Sequence, residues 1–468
     1  MMDNIFSFSI LPFIILIPLI GALCIARISD QMSIRLVSIW SAAFVFALTT
    51  VLLLLLKDDF EATYSYYYFS LSLNGLSMYF AEVMAFLTLL STLIGRHEIS
   101  DDIQKFYIPV MVLESSTLML FFISNILLFS CLLEIIACIS YFLARIFSSK
   151  SEYLAKQFIL LFFGVIFTIF GTAYIVSITG AMEIHILADY TFSFAHEQVF
   201  FVIFFMGLYC ICGLFPAHMW IPDTYADAPA AVSVLLCGLV SLIGGFGIMT
   251  ILVPIAKNVY LHWHSQISHV VFGSVVYFLW AAAIQKNLER VLAYVFCANV
   301  AVSIIGIFSG RTEGVAGAAY HMMANSLVMA LLFIVARAMT KNQGKEVSAM
   351  VVILPLLVLL ATPLLPFFNG EFFIIYGLMH KNYFFGVLVC VVVVLGMFSA
   401  VKALANCCPG VGEIKLRTDN PICLISLMLL LVLMGLFPNG VVRSVGGVCG
   451  KFPLAKIAEN YGRSVHDW

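Results

Sequence analysis

Six ionisable side chains interrupt long apolar runs in this sequence: Glu82, Glu114, Glu134, His218, His321 and Glu371. Charge at bilayer depth is costly, so such groups mark an ion pathway or a buried pairing. Glu134 sits near the middle of LLFSCLLEIIACISYFLARIF, and Glu371 follows the run Pro363-Leu-Leu-Pro366-Phe-Phe-Asn-Gly370. Both read as carboxyls that exchange protons, with a structural acid as the alternative. For Glu82 and Glu114 the structural reading is preferred. His218 and His321 are imidazoles able to relay protons near neutral pH. Lys156, in EYLAKQFILLFFG, either serves the same path or snorkels its ammonium to the surface.

The elements that must position these groups are membrane helices. Of the 468 residues, 63% are hydrophobic and only 10% charged, whereas soluble domains run near ~25% charged. Mean hydropathy is +1.08, and apolar runs of membrane-spanning length recur throughout. The stretch from Phe201 to Gly247 opens as an apolar helix and resumes as a second one. Between them stand Pro216, His218, Trp220, Pro222, Asp223, Asp227 and Pro229. Backbone that irregular is tolerated at membrane depth only where protein or a wet cavity surrounds it, and broken helices recur in ion transporters. An ordinary loop followed by a proline-initiated helix is the simpler alternative, with Asp223 as a helix cap.

Candidate spans are 8–26, 35–56, 74–95, 107–123, 125–146, 155–178, 198–220, 229–254, 267–285, 290–309, 316–338, 348–379, 382–404 and 421–442, about fourteen helices. Placing the N-terminus outside puts fifteen Lys and Arg on the inner flanks and eight outside, tail included. The positive-inside rule therefore favours both termini outside. The longest polar stretches, 180–197 and 405–420, are too short to fold alone. The first apolar run has no basic residues before it and reads as a retained helix. The twelve cysteines contain no C-x-x-C pair. No metal, no cofactor and, at a net charge of −2, no nucleic acid is expected.

Several motifs resemble one family. FPAHMWIPD-x3-DAPAAVSVLL is similar to the signature of the antiporter-like, proton-conducting subunits shared by respiratory complex I and Mrp-type cation/proton antiporters. LNGLSMYF, LLEIIACISYFL, IQKNLERVLAYVFCANV, YHMMANSLVMALLF, PFFNGEFFIIYG and MGLFPNGVV resemble further family segments in family order. The resemblance implies an all-α membrane protein of fourteen helices with two inverted five-helix repeats, each holding a broken helix. The implied division is 1–106 for the first three helices, 107–256 and 257–404 for the repeats with breaks near 216 and 366, and 405–468 for the last helix and tail. It also implies a central polar axis in which the glutamate matching Glu134 pairs with a basic residue. The chain departs from that axis: Ile211, Leu242 and Met329 stand at usual lysine positions, and Asn325 at a usual histidine.

Three functions follow from the resemblance. The first is a D-like subunit of an Mrp cation/proton antiporter, with Glu134, Glu371, His218, His321 and Lys156 handling protons and Na+ or K+ as the exchanged cation. The second is a non-redox membrane-arm subunit of a proton-pumping NADH-quinone oxidoreductase or membrane hydrogenase. The third is a degenerate paralogue that fills the slot without pumping. All three imply the inner (cytoplasmic) cell membrane and other integral membrane subunits as partners.

Overall fold

The structure, a computed structural model, describes residues 2–55, 61–66, 69–147, 151–341, 355–407 and 421–442. Helices α1 (Met2–Ile25), α2 (Gln31–Leu55), α3 (Gly75–Glu98), α4 (Ile103–Phe122), α5 (Ile126–Phe147) and α6 (Ser151–Thr179) come first. The short α7 (Ile184–Asp189) leads to α8 (Phe194–Ile211), α9 (Trp220–Asp227) and α10 (Ala230–Gly247). A π-helical turn (Ile248–Leu252) and α11 (Val253–Ile255) extend α10 towards α12 (Lys257–Ile284), α13 (Leu288–Ile307) and α14 (Thr312–Lys341). After a helical turn at 355–359 come α15 (Pro366–Lys381), α16 (Tyr383–Cys407) and α17 (Pro421–Leu436). Among the described residues eleven helices are long and apolar enough to cross a membrane. The expected span 348–379 and the expected polar stretch 405–420 lie partly outside the described residues, and the tail beyond residue 442 lies wholly outside them.

The chain turns at two ends. At one, Gln104 donates to the carbonyls of Ile25 and Ile28, and Arg35 to Ile99. Lys156 and Arg290 meet Asp223 there, so this is the basic end. Asp30 starts α2 at this end by accepting from Ser33 Oγ and Ser33 N–H, bonds that hold its carboxyl below the usual range.

The opposite end carries an antiparallel hairpin, β1 (Glu61–Tyr66) with β2 (Phe69–Asn74), in the register Glu61↔Asn74. Hydropathy alone passes over these residues as a loop. Leu71 and Leu73 alternate with serines and are buried, a period of two too short to weigh against long helical runs. α12 also begins ten residues before the expected 267. Its polar first turns hide it from hydropathy, but Glu197 accepts from the N–H groups of Asn258 and Val259 and satisfies the helix start.

Two five-helix sets run in opposite directions: α4, α5, α6, the broken α8–α9 and α10; then α12, α13, α14, the broken 355–381 and α16. The first set begins at the basic end and the second at the hairpin end, and in each the third helix packs along the broken fourth. The core lies around α3, α10, α13 and α14, whose spans are mostly buried. α2 and α16 present apolar faces outward, as with Trp40, Leu54, Leu395 and Phe398.

Candidate proton-handling site

The second broken helix builds the clearest site. Helix 355–359 stops, the chain is irregular over 360–365, and Pro366 restarts it as α15 at a position where no backbone N–H is needed. Ala361 and Leu364 take left-handed backbone angles of φ 48° and 74° in this break. One turn on, Gly370 lets α15 press against α14: a Cβ there would stand 2.8 Å from His321 Cβ and 3.0 Å from His321 Cα. That approach delivers Glu371 to His321, with Oε1 3.8 Å from Nε2. Both side chains are buried, and Phe367 stacks on the imidazole at 4.9 Å.

Hydrogen bonding fixes the tautomer. Ser303 on α13 donates its only hydroxyl proton to the Asn299 carbonyl at 3.0 Å. Its oxygen therefore accepts from His321 Nδ1 at 2.8 Å. In the neutral ring Nε2 then presents a lone pair towards Glu371. Too long for a direct hydrogen bond, the separation lies within ion-pair range. The pair can hold one proton on either partner.

Neutral polar groups continue from it. Asn325, one turn beyond His321, reaches Ser241 Oγ on α10 at 3.4 Å. Asn299 is fully buried one turn before Ser303, and neither end of its amide has a protein partner among the described residues. Ser303, Asn299 and Ser241 carry no signal in the sequence, because uncharged residues in apolar helices do not stand out. Ile211, Leu242 and Met329 pack into the core as plain hydrophobes.

The other expected site residues are dispersed. Glu134 is exposed on the outer face of α5, beside Cys131, Ile135, Cys138 and Phe142, and no basic side chain of the described residues reaches it. The pairing implied for it is therefore not made among the described residues. His218 is buried in a nest of Phe215, Tyr277 and Phe278 rings, and no acid among the described residues pairs with it. Lys156 lies 3.2 Å from Asp223, which also meets Arg290 at 3.0 Å. Asp223 thus ties α6, α9 and α13 together, in place of the capping role considered for it: α9 has no side-chain cap.

The first break spans 212–219. Gly213 takes φ +62° there, with the Ile221 side chain occupying the space a Cβ would need. Pro216 lies within the break, Trp220 begins α9 and is buried, Pro222 is buried in its first turn, and Pro229 caps α10. Glu82 accepts from Thr50 at 2.6 Å, as a structural acid does. Glu114 is fully buried on α4, with neither oxygen partnered among the described residues.

The profile of the family described as "NADH:quinone oxidoreductase/Mrp antiporter, TM" matches residues 123–398. This chain belongs to that family. Subunit M of the NADH-quinone oxidoreductase of Rickettsia bellii is 24% identical over 479 residues, covering 92% of this chain and 95% of the relative. A chain of respiratory complex I from Thermus thermophilus superposes with a TM-score of 0.84 at 19% identity, covering 94% of this chain and 99% of that one. A chain of the Mrp complex from a Dietzia species gives 0.82 at 14% identity, covering 95% and 97%. The fold is common to both assemblies. The protein is a multi-pass membrane protein of the antiporter-like type.

Proposed function

We propose that this chain is a proton-translocating membrane subunit of an NADH-quinone oxidoreductase-type complex, holding no electron carrier of its own. The observation that carries proton handling is the buried His321–Glu371 pair at the second break, with Ser303 fixing the imidazole so that Nε2 faces the carboxyl. Sequence motifs alone place a D-like component of an Mrp antiporter first. The subunit M relatives and the acid at Glu371 favour the redox-complex alternative. Protons are handled mainly in the second helix set, because the first carries Ile211 and Leu242 at usual lysine positions.

Glu134 then works with a neighbouring subunit. An exposed carboxylate this far from either helix end is costly against lipid, so the α5 face is read as covered by another integral membrane subunit whose basic group meets it. Proton uptake by vesicles containing the assembled complex tests the assignment. NADH with quinone should drive it, and a Na+ or K+ gradient alone should not. Uptake driven by the cation gradient and indifferent to NADH would return the Mrp reading. The orientation proposed places the basic end inside and the hairpin end outside.

A further inference from the structure

A second histidine repeats the geometry of the first, nearer the hairpin end. His264 on α12 is buried, and its Nδ1 lies 3.2 Å from the Phe308 carbonyl at the end of α13. A carbonyl only accepts, so Nδ1 carries the hydrogen and Nε2 a lone pair. That Nε2 is hydrogen-bonded to Nζ of Lys381, the last residue of α15. Gly310, at φ +76°, lies flat against the ring: a Cβ there would be 2.7 Å from it. Both histidines thus rest Nδ1 on α13, at Ser303 and at Phe308, and turn Nε2 to a charged residue of α15, at Glu371 and at Lys381. Ten residues separate those two charges, about 15 Å along a helix. Between them Ile374 of α15 packs against Gly306 of α13.

Resting on the proton-translocating reading above, we propose that His264 and Lys381 form the proton-release station of the second helix set. His264 is buried and Lys381 exposed at the hairpin end, so the pair joins interior to water. A proton arriving from the His321–Glu371 pair binds Nε2 of His264. Two cations in contact cannot both persist, so the Lys381 ammonium must first have given its proton to external water, which leaves its amine as the stronger base beside Nε2. The free amine then takes the proton from Nε2, which restores the neutral imidazole and the ammonium. One proton enters, one leaves, and the station is reset.

The remaining charged groups on the surrounding elements are otherwise engaged. Arg311 and Glu313 pair with each other at 3.6 Å, Tyr260 donates to the Ile307 carbonyl, His380 packs on Tyr376, and His269 stacks on Phe385. None supplies a carboxylate that would hold the shared proton permanently.

The test compares His264→Phe, Lys381→Met, Lys381→Arg and Glu371→Gln in the assembled complex, reading proton flux against external pH. Phe keeps the ring against Gly310 and removes the nitrogens. His264→Phe and Lys381→Met should each cut flux at least tenfold, and Lys381→Arg should retain flux with a shifted external-pH profile. Wild-type flux and profile in His264→Phe and Lys381→Met, with Glu371→Gln blocked, would overturn the release station and leave the proposed function standing. Intact flux in Glu371→Gln as well would remove both. Should His264→Phe fail to assemble, Lys381→Met decides alone, because that exposed terminal side chain is no part of the core.

Discussion

Replacing Gly370 by alanine should slow proton translocation about fivefold without preventing assembly. The added Cβ would stand 2.8 Å from His321 Cβ and 3.0 Å from its Cα, and neither atom is the end of a flexible chain. Ordinary carbon contact needs roughly 3.5–4.0 Å, so α14 and α15 must part locally by about 1 Å. The His321–Glu371 separation then grows from 3.8 Å to about 4.8 Å. At an effective dielectric of about 20, the attraction between imidazolium and carboxylate falls from ~4.4 to ~3.5 kcal/mol. A change of about 1 kcal/mol is close to a fivefold loss of the charge-separated pair. The assay is initial proton flux in vesicles, normalised to assembled complex, with Gly273→Ala as control. Gly273 has nothing within 4 Å of its would-be Cβ. Full flux in Gly370→Ala would refute the link between helix approach and proton handling.

Asp223→Asn should lower thermal stability by about 1–2 kcal/mol, because Lys156 and Arg290 are left facing each other without their shared acid; partial exposure of both cations keeps the loss below that of a buried pair. Lys156→Met, read in the same thermal melt, should cost less and leave flux per assembled complex unchanged. Glu114→Met should raise the melting temperature, since a fully buried carboxyl without partners among the described residues gives way to an apolar side chain of similar volume, a gain of about 1 kcal/mol. Gly213→Ala should destabilise by about 1–3 kcal/mol, from its left-handed backbone and its contact with Ile221, measured by the same melt. Cys131 and Cys138 flank Glu134 on the exposed face of α5 and should react with a membrane-permeant maleimide in the isolated chain. In the assembled complex they should be protected, and equal labelling in both would remove the proposed partner from that face.

The positions of the two breaks are legible in the sequence because prolines cluster there, although an ordinary loop stays open as the alternative: the irregular segments fall at 212–219 and 360–365. His321 and Glu371 are each legible as ionisable residues out of place. Their meeting is not, since it depends on Gly370 and on which faces of α14 and α15 touch. Faces are hard to read here. α5 has a more polar side that carries Glu134, but the sequence does not say whether that side turns to the core or outward. The pairing of Lys156 with Asp223 is not legible, because the two lie 67 positions apart. His264 and Lys381 are hidden for the opposite reason: near a helix end, polar residues look like ordinary surface.

The most direct measurement is proton flux through the assembled complex in vesicles, wild type against Glu371→Gln and His321→Gln, with assembly verified on the same preparations. Each substitution should abolish flux or reduce it at least a hundredfold, because a glutamine at either position cannot exchange the shared proton. Flux at the wild-type rate in either fully assembled variant would contradict the claim that the His321–Glu371 pair carries the proton.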